Sequence, residues 1–340
     1  FVCDGGAGTT NTVRFITFRE LSATNLNNSD GTVSSGACYF LRTRSGTTDL
    51  VEDFTAEKIT ITNLLAGATS NTACWLVASN GAKFKLWRWI VSNAKVSSGN
   101  NTHIMEYYKC DRVSIQRCTI ANDAGGFYEK EGIPVTNGIG LSARFNVLNG
   151  GTIRLSTQGQ SPTCDFHIIQ NNIFNTTEET FHSGPVRFDT SSVAGTSTKA
   201  LISNNSFYNY TFNGNGFIRF DNVGYAGAMI YNNIFNDGQT PWRFDPDVSP
   251  AEYIDYNHLY NEPPAAGPVF YYFGPEPYDT IEAVRAAEGF ELSSTVGSPV
   301  YNNAPLGDFT LAVGSLALTS GVSDTQQGAY LSSLINIGAN

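Results

Sequence analysis

The feature that most constrains the fold is a short pattern, an asparagine, one variable residue and a large apolar residue, that recurs every 24 to 33 residues. A variable period in this range with strand-like content is typical of a solenoid with one coil per repeat, whereas a propeller blade needs about 40 residues. Period-two alternation, as in Lys58–Thr62, argues against helical repeats. Clear copies begin at Asn146, Asn172, Asn205, Asn233 and Asn257, and weaker copies end at Leu65, Val91 and Ile120.

The asparagines of this pattern have a structural interpretation. Equivalent side chains of stacked parallel strands lie about 4.8 Å apart. An asparagine amide can then donate to one neighbour and accept from the other. We therefore predict that the five clear copies form a ladder at one bend of the coil.

A second recurring pattern is a strand in which arginine alternates with apolar residues. Alternation in a strand turns the apolar residues inward and the arginines and aspartates outward. The strands predicted from this pattern are Thr152–Ser156, Val186–Asp189, Ile218–Asp221 and Trp242–Asp245. Cys38 and Cys74 occupy matching positions in earlier coils, which leaves a disulfide and a buried pair of thiols as alternatives.

The two ends of the solenoid differ. The segment Asp279–Gly289 predicts a short helix with Asp279 as N-cap and Gly289 as its stop. We therefore predict coils over residues 1–270 and a closing segment over residues 271–340. Val13–Phe18 already has the pattern of a coil strand, so the open first coil is expected to be covered either by residues that precede Phe1 or by a partner, which can be a second copy.

The coil repeats resemble those of a known group of proteins. Asn-Asn-Ile-Phe-Asn occurs twice, at 171–175 and 232–236, and Ser298–Tyr301 and Asp308–Leu311 belong to a similar closing stretch. Over roughly residues 13 to 330 the chain resembles the pectate-lyase-like superfamily. The resemblance implies an all-β fold, a right-handed single-stranded parallel β-helix with a C-terminal capping segment that contains one short helix. Such proteins are often secreted or exposed on a cell surface, and the same location is expected here.

The composition narrows the choice of partner. Lys and Arg number 20 and Asp and Glu 30, and an acidic chain argues against a nucleic-acid partner. No stretch approaches the roughly 20 apolar residues of a membrane helix. The superfamily includes polysaccharide lyases, glycoside hydrolases, phage tailspikes and adhesins, so the fold alone does not select an activity.

The catalytic candidates are Lys130 and Arg154, which fall on neighbouring coils. Polysaccharide lyases of this fold abstract the proton next to a uronate carboxyl with a Lys or Arg, while a second cation neutralises the carboxylate. The resemblance therefore implies β-elimination, and like charge nearby lowers the pKa of a lysine toward that of a useful base. A glycoside hydrolase is less favoured, because the paired-aspartate motif of polygalacturonase-type enzymes is absent.

The outward charges have three alternative interpretations: a site for an acidic polysaccharide, a site for Ca²⁺, and a lattice of ion pairs without a ligand. Arg187, Arg219 and Arg243, with His182 and Tyr128, are candidates to bind an acidic polysaccharide. Asp189, Asp221 and Asp245 are candidates to hold Ca²⁺. The third alternative is a lattice in which each arginine pairs with a neighbouring aspartate. Aromatic residues predict a platform for sugar stacking or, alternatively, the filling of coils: Tyr107, Tyr108, Tyr128, Trp242, Tyr271 and Tyr272.

Two functions follow from these features. The first is a carbohydrate-active protein that binds, and cleaves by β-elimination, an acidic polysaccharide. The second is a structural or adhesive protein without enzymatic activity, such as a subunit of a phage tail or of a cell-surface fibre.

Overall fold

The computed structural model describes most of the repeat region and the closing segment. The described residues are 2–3, 12–14, 17–24, 27–28, 38–43, 50–52, 54–62, 65–66, 72–87, 90–92, 95–96, 103–120, 126–130, 139–149, 153–156, 166–175, 185–189, 199–209, 216–221, 227–236, 240–244, 252–260, 271–273, 276–324 and 327–329. Within them the chain is almost entirely β, with long stacks of parallel strands of solenoid type. The all-β prediction is confirmed.

Each coil contributes strands to three faces. The first face contains Val2–Cys3, Cys38–Thr43, Gly126–Lys130, Ile153–Ser156, Val186–Asp189, Ile218–Asp221, Trp242–Phe244 and Tyr271–Phe273. The second face contains Thr17–Arg19, Phe54–Glu57, Ile139–Arg144, Phe166–Gln170, Lys199–Ser203, Gly227–Tyr231 and Tyr253–Asp255. The long strands Thr72–Trp87 and His103–Gln116 run through both faces and join them into one sheet.

The third face is a separate parallel sheet. Its strands are Ser22–Thr24, Thr60–Thr62, Ile90–Ser92, Thr119–Ile120, Val147–Asn149, Ile173–Asn175, Ser206–Tyr208, Ile234–Asn236, His258–Tyr260 and Thr295–Val296. Smaller parallel pairings involve Thr12–Arg14 with Leu50–Glu52, and Leu65–Ala66 with Asn27–Asn28 and Lys95–Val96.

The chain turns from the second face to the third through a residue in the left-handed conformation. The residues at these bends are Glu20, Lys58, Arg117, Phe145, Asn171, Asn204, Asn232 and Tyr256, with φ between 54° and 57°. Asparagine tolerates this conformation better than most residues, whereas other side chains lose roughly 1–2 kcal/mol there. At most of these bends the backbone N–H donates to a carbonyl of the next coil, as when Phe145 N donates to Gln170 O at 3.2 Å. Tyr256 N instead donates to Asp255 Oδ1 at 2.8 Å.

The residue that follows each bend forms the predicted ladder. Asn146, Asn172, Asn205, Asn233 and Asn257 are all fully buried. In the last four, Oδ1 accepts the backbone N–H and the side-chain N–H of the asparagine in the preceding coil, at 2.8–3.1 Å. Asn146 Oδ1 accepts the backbone N–H of Cys118 at 2.9 Å. The ladder prediction is confirmed. In earlier coils the same position holds Leu21, Ile59 and Cys118, so the corner is apolar there.

Stacked aromatic rings fill the interior. The rings of Phe188, Phe220 and Phe244 lie 4.6 and 4.8 Å apart behind the first face and are nearly parallel. A second column joins Phe207 to Phe174 and Phe235, with centroids 4.9 and 5.0 Å apart, inside the third face. The predicted inward positions of the arginine strands are therefore correct, and large buried side chains fix the register of the coils.

The C-terminal segment closes the last coil. Its helix, Ile281–Glu288, has Thr280 as N-cap, since the Thr280 hydroxyl accepts from Ala283 N at 3.1 Å, and ends at Gly289. The predicted stop is confirmed, but Asp279 as N-cap is wrong, because the neighbouring threonine takes that role. Glu276–Tyr278 pairs antiparallel with the last strand of the first face. No helix of the described chain is long and apolar enough to cross a membrane.

The rest of this segment runs back along the outside of the third face. It contains the antiparallel strands Tyr301–Asn303 and Asp308–Leu311 and the 3₁₀ turns Ala304–Leu306, Leu316–Leu318 and Val322–Asp324. Gly328 N donates to Asn232 O at 2.6 Å, and the Gln327 amide donates to Tyr256 O at 2.5 Å. All of Ile234–Asn236 is buried as a result, whereas Thr60–Thr62 is buried only at its central residue. We call residues 315–329 the strap.

Candidate functional site

The first face carries a row of arginines in strict register. Arg154 pairs with Arg187, Arg187 with Arg219, and Arg219 with Arg243. We call these four positions the arginine row. The inward neighbours Ile153, Leu155, Val186 and Phe188 are buried, so the row occupies the outward register of the strands.

Aromatic residues occupy the same register position at both ends of the arginine row. At one end Tyr128 pairs with Arg154. Over the two preceding coils the same position is held by Glu106, which pairs with Tyr128, and by Trp75, which pairs with Glu106. At the other end Arg243 pairs with Tyr272. Trp242 is fully buried within the stack, so of the two alternatives for this residue the filling of the coil is the one observed. The sequence pattern alone does not indicate that the upstream strands continue the arginine row, because Glu106 and Trp75 stand there in place of arginine.

A second outward row lies two residues further along each strand. Lys130 pairs with Ser156, Ser156 with Asp189, and Asp189 with Asp221. We call these positions the aspartate row. Lys130 and Arg154 therefore lie on adjacent strands but in neighbouring rows, and the residue directly beside Arg154 is Tyr128. For Tyr128, Lys130, Arg154, Ser156 and Asp189 the structure describes the strand positions only.

Asp221 joins two coils through its carboxylate. Arg187 Nε lies 2.6 Å from Asp221 Oδ2, and Arg219 Nε contacts Asp221 Oδ1. The Arg187 contact is an electrostatic one, since its N–H does not point at that oxygen in hydrogen-bond geometry. The side chains of Arg187 and Arg219 are only 20% and 17% exposed, and that of Asp221 is 6% exposed. These two arginines thus form the expected lattice, with one carboxylate shared between two cations.

The remaining candidates fall partly outside the described chain. His182 and Asp245 lie outside the described residues. Among the residues that the structure describes, no three His, Cys, Asp or Glu side chains come together as a metal site. Cys38 and Cys74 are in register on neighbouring coils, as the sequence predicted.

Two buried titratable side chains were not singled out by the sequence. His167 Nδ1 accepts from Leu141 N at 3.1 Å, where the strand register shifts between Ile139 and Ser142. Burial lowers the pKa of His167 to about 4. Glu291 lies at the end of the asparagine ladder, where it accepts from the Asn257 amide at 3.0 Å. Burial raises the pKa of Glu291 to about 8, against the opposing effect of hydrogen bonds from Ser294 and Asn257.

The fourth histidine lies beneath the strap. His258 begins a strand of the third face and is buried. Its Nδ1 lies 2.7 Å from Thr295 Oγ1, and burial lowers its pKa. This geometry suits a neutral structural histidine, and it lies on the third face, whereas the arginine row lies on the first.

No protein-family model matches the sequence, and no curated protein matches it.

Proposed function

We propose that the protein binds an acidic polysaccharide along its first face, with the guanidinium groups of the arginine row as the anion-binding groups. The observation that carries this proposal is the register of four arginines on four consecutive coils. Guanidinium groups bind carboxylates with paired, charge-assisted hydrogen bonds. Aromatic residues in the same row, Tyr128 and Tyr272, are suited to stack on sugar rings.

We also propose the handedness of the coil and the superfamily to which the fold belongs. Connections between parallel strands of one sheet are right-handed in nearly all proteins, which supports a right-handed β-helix. The coil repeats and the closing segment support membership of the pectate-lyase-like superfamily. A secreted or surface location belongs to the same proposal, because an extracellular polysaccharide is its ligand.

Cleavage by β-elimination is the catalytic part of the proposal. Lys130 would take the proton next to the uronate carboxyl, while Arg154 neutralises the carboxylate. The C–H electron pair then forms the ring double bond as the glycosidic C–O bond breaks, and the leaving oxygen takes a proton from solvent water. The positions of the two residues on adjacent strands support this assignment.

The contacts of Asp221 disfavour Ca²⁺ at that position. Both of its carboxylate oxygens lie against guanidinium groups, and a cation there would be repelled by two like charges. Asp221 therefore does not fit a calcium site, and no step of the proposed reaction uses one.

Binding is tested with oligogalacturonate by titration calorimetry at rising salt. Affinity should fall steeply as the screening length shortens to about 8 Å at physiological ionic strength. Arg187→Gln and Arg219→Gln should each weaken binding. The matched control is Lys199→Gln, which removes a cation from the second face, where Lys199 is paired with Glu252. Equal affinity for a neutral oligosaccharide of the same length would refute the proposal.

Cleavage is tested by the ultraviolet absorbance of unsaturated uronate ends. Wild-type protein should produce this signal with one of a panel of polyuronates, and Lys130→Ala should abolish the signal while leaving binding intact. Binding without any signal from the wild type would remove the catalytic part and leave a carbohydrate-binding protein.

A structural or adhesive role is the second candidate, and the first coil favours it. Leu21 occupies the position that follows the bend and is 44% exposed, whereas Ile59 at the same position of the next coil is 1% exposed. The strand Ser22–Thr24 lies at the edge of the third-face sheet among the described strands. Such an edge can pair with a second copy of the chain, as in a fibre subunit.

The oligomeric state separates this second candidate from a monomeric binding protein. Sedimentation velocity should reveal concentration-dependent association that Leu21→Asp abolishes. Leu316→Asp is the control, since Leu316 is also exposed, at 56%, but lies in the C-terminal segment. A monomer at all concentrations would count against self-assembly.

A further inference from the structure

The arginine row belongs to a longer row of residues that has two defined ends. Six consecutive strands of the first face contribute one residue each at the same register position: Tyr128, Arg154, Arg187, Arg219, Arg243 and Tyr272. We call these six positions the extended row. The five strand pairings that join them contain no register shift. Neighbouring strands lie about 4.8 Å apart, so the extended row is about 24 Å long.

An acidic residue ends the extended row on the side of Tyr128. The next position in register is held by Glu106, which pairs with Tyr128. None of the six members of the extended row is acidic, so Glu106 is the first carboxylate at this register position. A uronate carboxylate placed there would be repelled by a like charge instead of being bound by a guanidinium group.

The closing segment ends the extended row on the side of Tyr272. The parallel stack stops here, because the strand Glu276–Tyr278 pairs antiparallel and places Pro277 beside Tyr272. Proline has no N–H, and its side chain has no charge and no donor, so it offers nothing to a carboxylate. Glu276 pairs with Phe273 and adds an acidic residue next to this end.

We propose that the first face binds a segment of about six sugars, with the polysaccharide chain running across the coils, and that Glu106 sets one end of this site. This inference rests on the proposed function of the arginine row. A pyranose unit of a 1,4-linked chain advances by nearly the distance between neighbouring strands, so one sugar can lie over each position of the extended row. The four central sugars then meet arginines, and the two outer sugars meet Tyr128 and Tyr272.

The direction of the chain follows from the charges on the strands. Along one strand the outward positions alternate in charge, because Arg219 is followed two residues later by Asp221. A uronate chain laid along that strand would meet attraction and repulsion in turn. Across the coils it meets arginines at every central position. Asp189 and Asp221 recur beside the row at the spacing of the coils, so they set neither of its ends.

The test measures how affinity depends on the length of the ligand. Oligogalacturonates from the dimer to the decamer are titrated by calorimetry, with Lys130→Ala protein where the wild type cleaves them. Affinity should rise by about threefold or more for each sugar added up to the hexamer. Beyond the hexamer the rise should fall below about twofold per sugar, because only the number of equivalent ways to place the chain increases.

Glu106→Gln tests the residue that ends the site. Wild-type protein should bind the heptamer less than about twofold more tightly than the hexamer. In Glu106→Gln this ratio should rise to about threefold or more, because a seventh sugar no longer meets a carboxylate. The matched control is Glu252→Gln, which removes a carboxylate from the second face and should leave the ratio unchanged.

Each outcome has one meaning. Affinity that keeps rising past the hexamer in wild-type protein would overturn the inference and leave the proposed function intact. A plateau near the trimer would also overturn it, since a strand of four residues is only about 13 Å long and the chain would then lie along one strand. Binding of no oligomer would overturn both proposals.

The variant has its own outcomes. An unchanged ratio of heptamer to hexamer affinity in folded Glu106→Gln would remove Glu106 as the end of the site. Thermal unfolding shows whether this variant is folded. If it is not folded, the length series on the unmodified first face still decides the size of the site.

Discussion

Asn172 Oδ1 accepts two hydrogen bonds from Asn146, one from its backbone N–H at 3.0 Å and one from its side-chain amide at 2.8 Å. The second amide hydrogen of Asn146 is donated to Ile115 O at 3.0 Å. Asn172, Asn205 and Asn233 each satisfy two N–H groups and one backbone carbonyl of the preceding coil, so their side-chain polar atoms are paired without water. The ladder couples successive coils at their sharpest corner.

Removing one ladder residue is expected to destabilise the stack. In Asn233→Leu the backbone N–H and side-chain amide of Asn205 lose their shared acceptor in the interior. Each buried group left unpaired costs about 1–3 kcal/mol, so the free energy of unfolding should fall by at least about 2 kcal/mol. Urea denaturation measures this change. Asn149→Leu is the control, because Asn149 is half-buried, and it should change stability by less than about 0.5 kcal/mol.

Glu291 predicts a loss of stability as the pH rises. Burial raises its pKa from 4.5 to about 8, so between these values the unfolded chain releases a proton that the folded chain retains. Stability is therefore full below pH 4.5 and declines until about pH 8, by on the order of 4 kcal/mol. Glu291→Gln should flatten this decline, whereas Glu252→Gln, on an exposed carboxylate, should not. A decline of equal slope in Glu291→Gln would contradict the assignment.

His167 predicts the opposite dependence at lower pH. Its pKa is lowered from 6.5 to about 4, so the unfolded chain gains a proton before the folded chain does. Stability is full above pH 6.5 and falls toward pH 4, by on the order of 3 kcal/mol. The effects of His167 and Glu291 oppose each other between pH 4.5 and 6.5. His167 is therefore best measured in Glu291→Gln protein, where the introduced His167→Leu change should remove the acid-side loss.

The stack of coils could be predicted because its residues repeat, whereas the parts of the chain that do not repeat could not be predicted. Equivalent positions such as Asn172 and Asn205, or Arg187 and Arg219, mark themselves by recurring at coil spacing, so the ladder and the strand register follow from the sequence. The bends could not be predicted from the sequence, because Lys58, Phe145 and Tyr256 occupy them as well as asparagine. These residues share only the left-handed backbone conformation.

The candidate site was predictable as a face but not as a set of contacts. Strand alternation placed Arg219 and Asp221 outward. Which arginine each aspartate pairs with depends on side-chain conformations that a sequence pattern does not specify. Asp221 pairs with two arginines. The strap has no repeat at all, and its path over the third face depends on single contacts such as that between Gly328 and Asn232.

The strap provides the last prediction, because one glycine fits where no other residue does. A Cβ atom at Gly328 would lie 2.6 Å from Ile234 Cδ1 and 2.7 Å from Ser206 Oγ, and φ is +75°. Gly328→Ala therefore combines backbone strain with a steric clash against the third face. The N–H groups of Gly328 and Ala329 donate to Asn232 O and Ser206 Oγ, and both bonds should break as the strap lifts.

Gly307 is the matched control, since its φ is +84° but nothing lies within 4 Å of its Cβ position. Gly307→Ala should lose about 1 kcal/mol through conformation alone, and Gly328→Ala at least twice as much. Hydrogen exchange at Ala329 should accelerate only in Gly328→Ala. Equal losses in the two variants, with unchanged exchange at Ala329, would show that the strap does not depend on this contact.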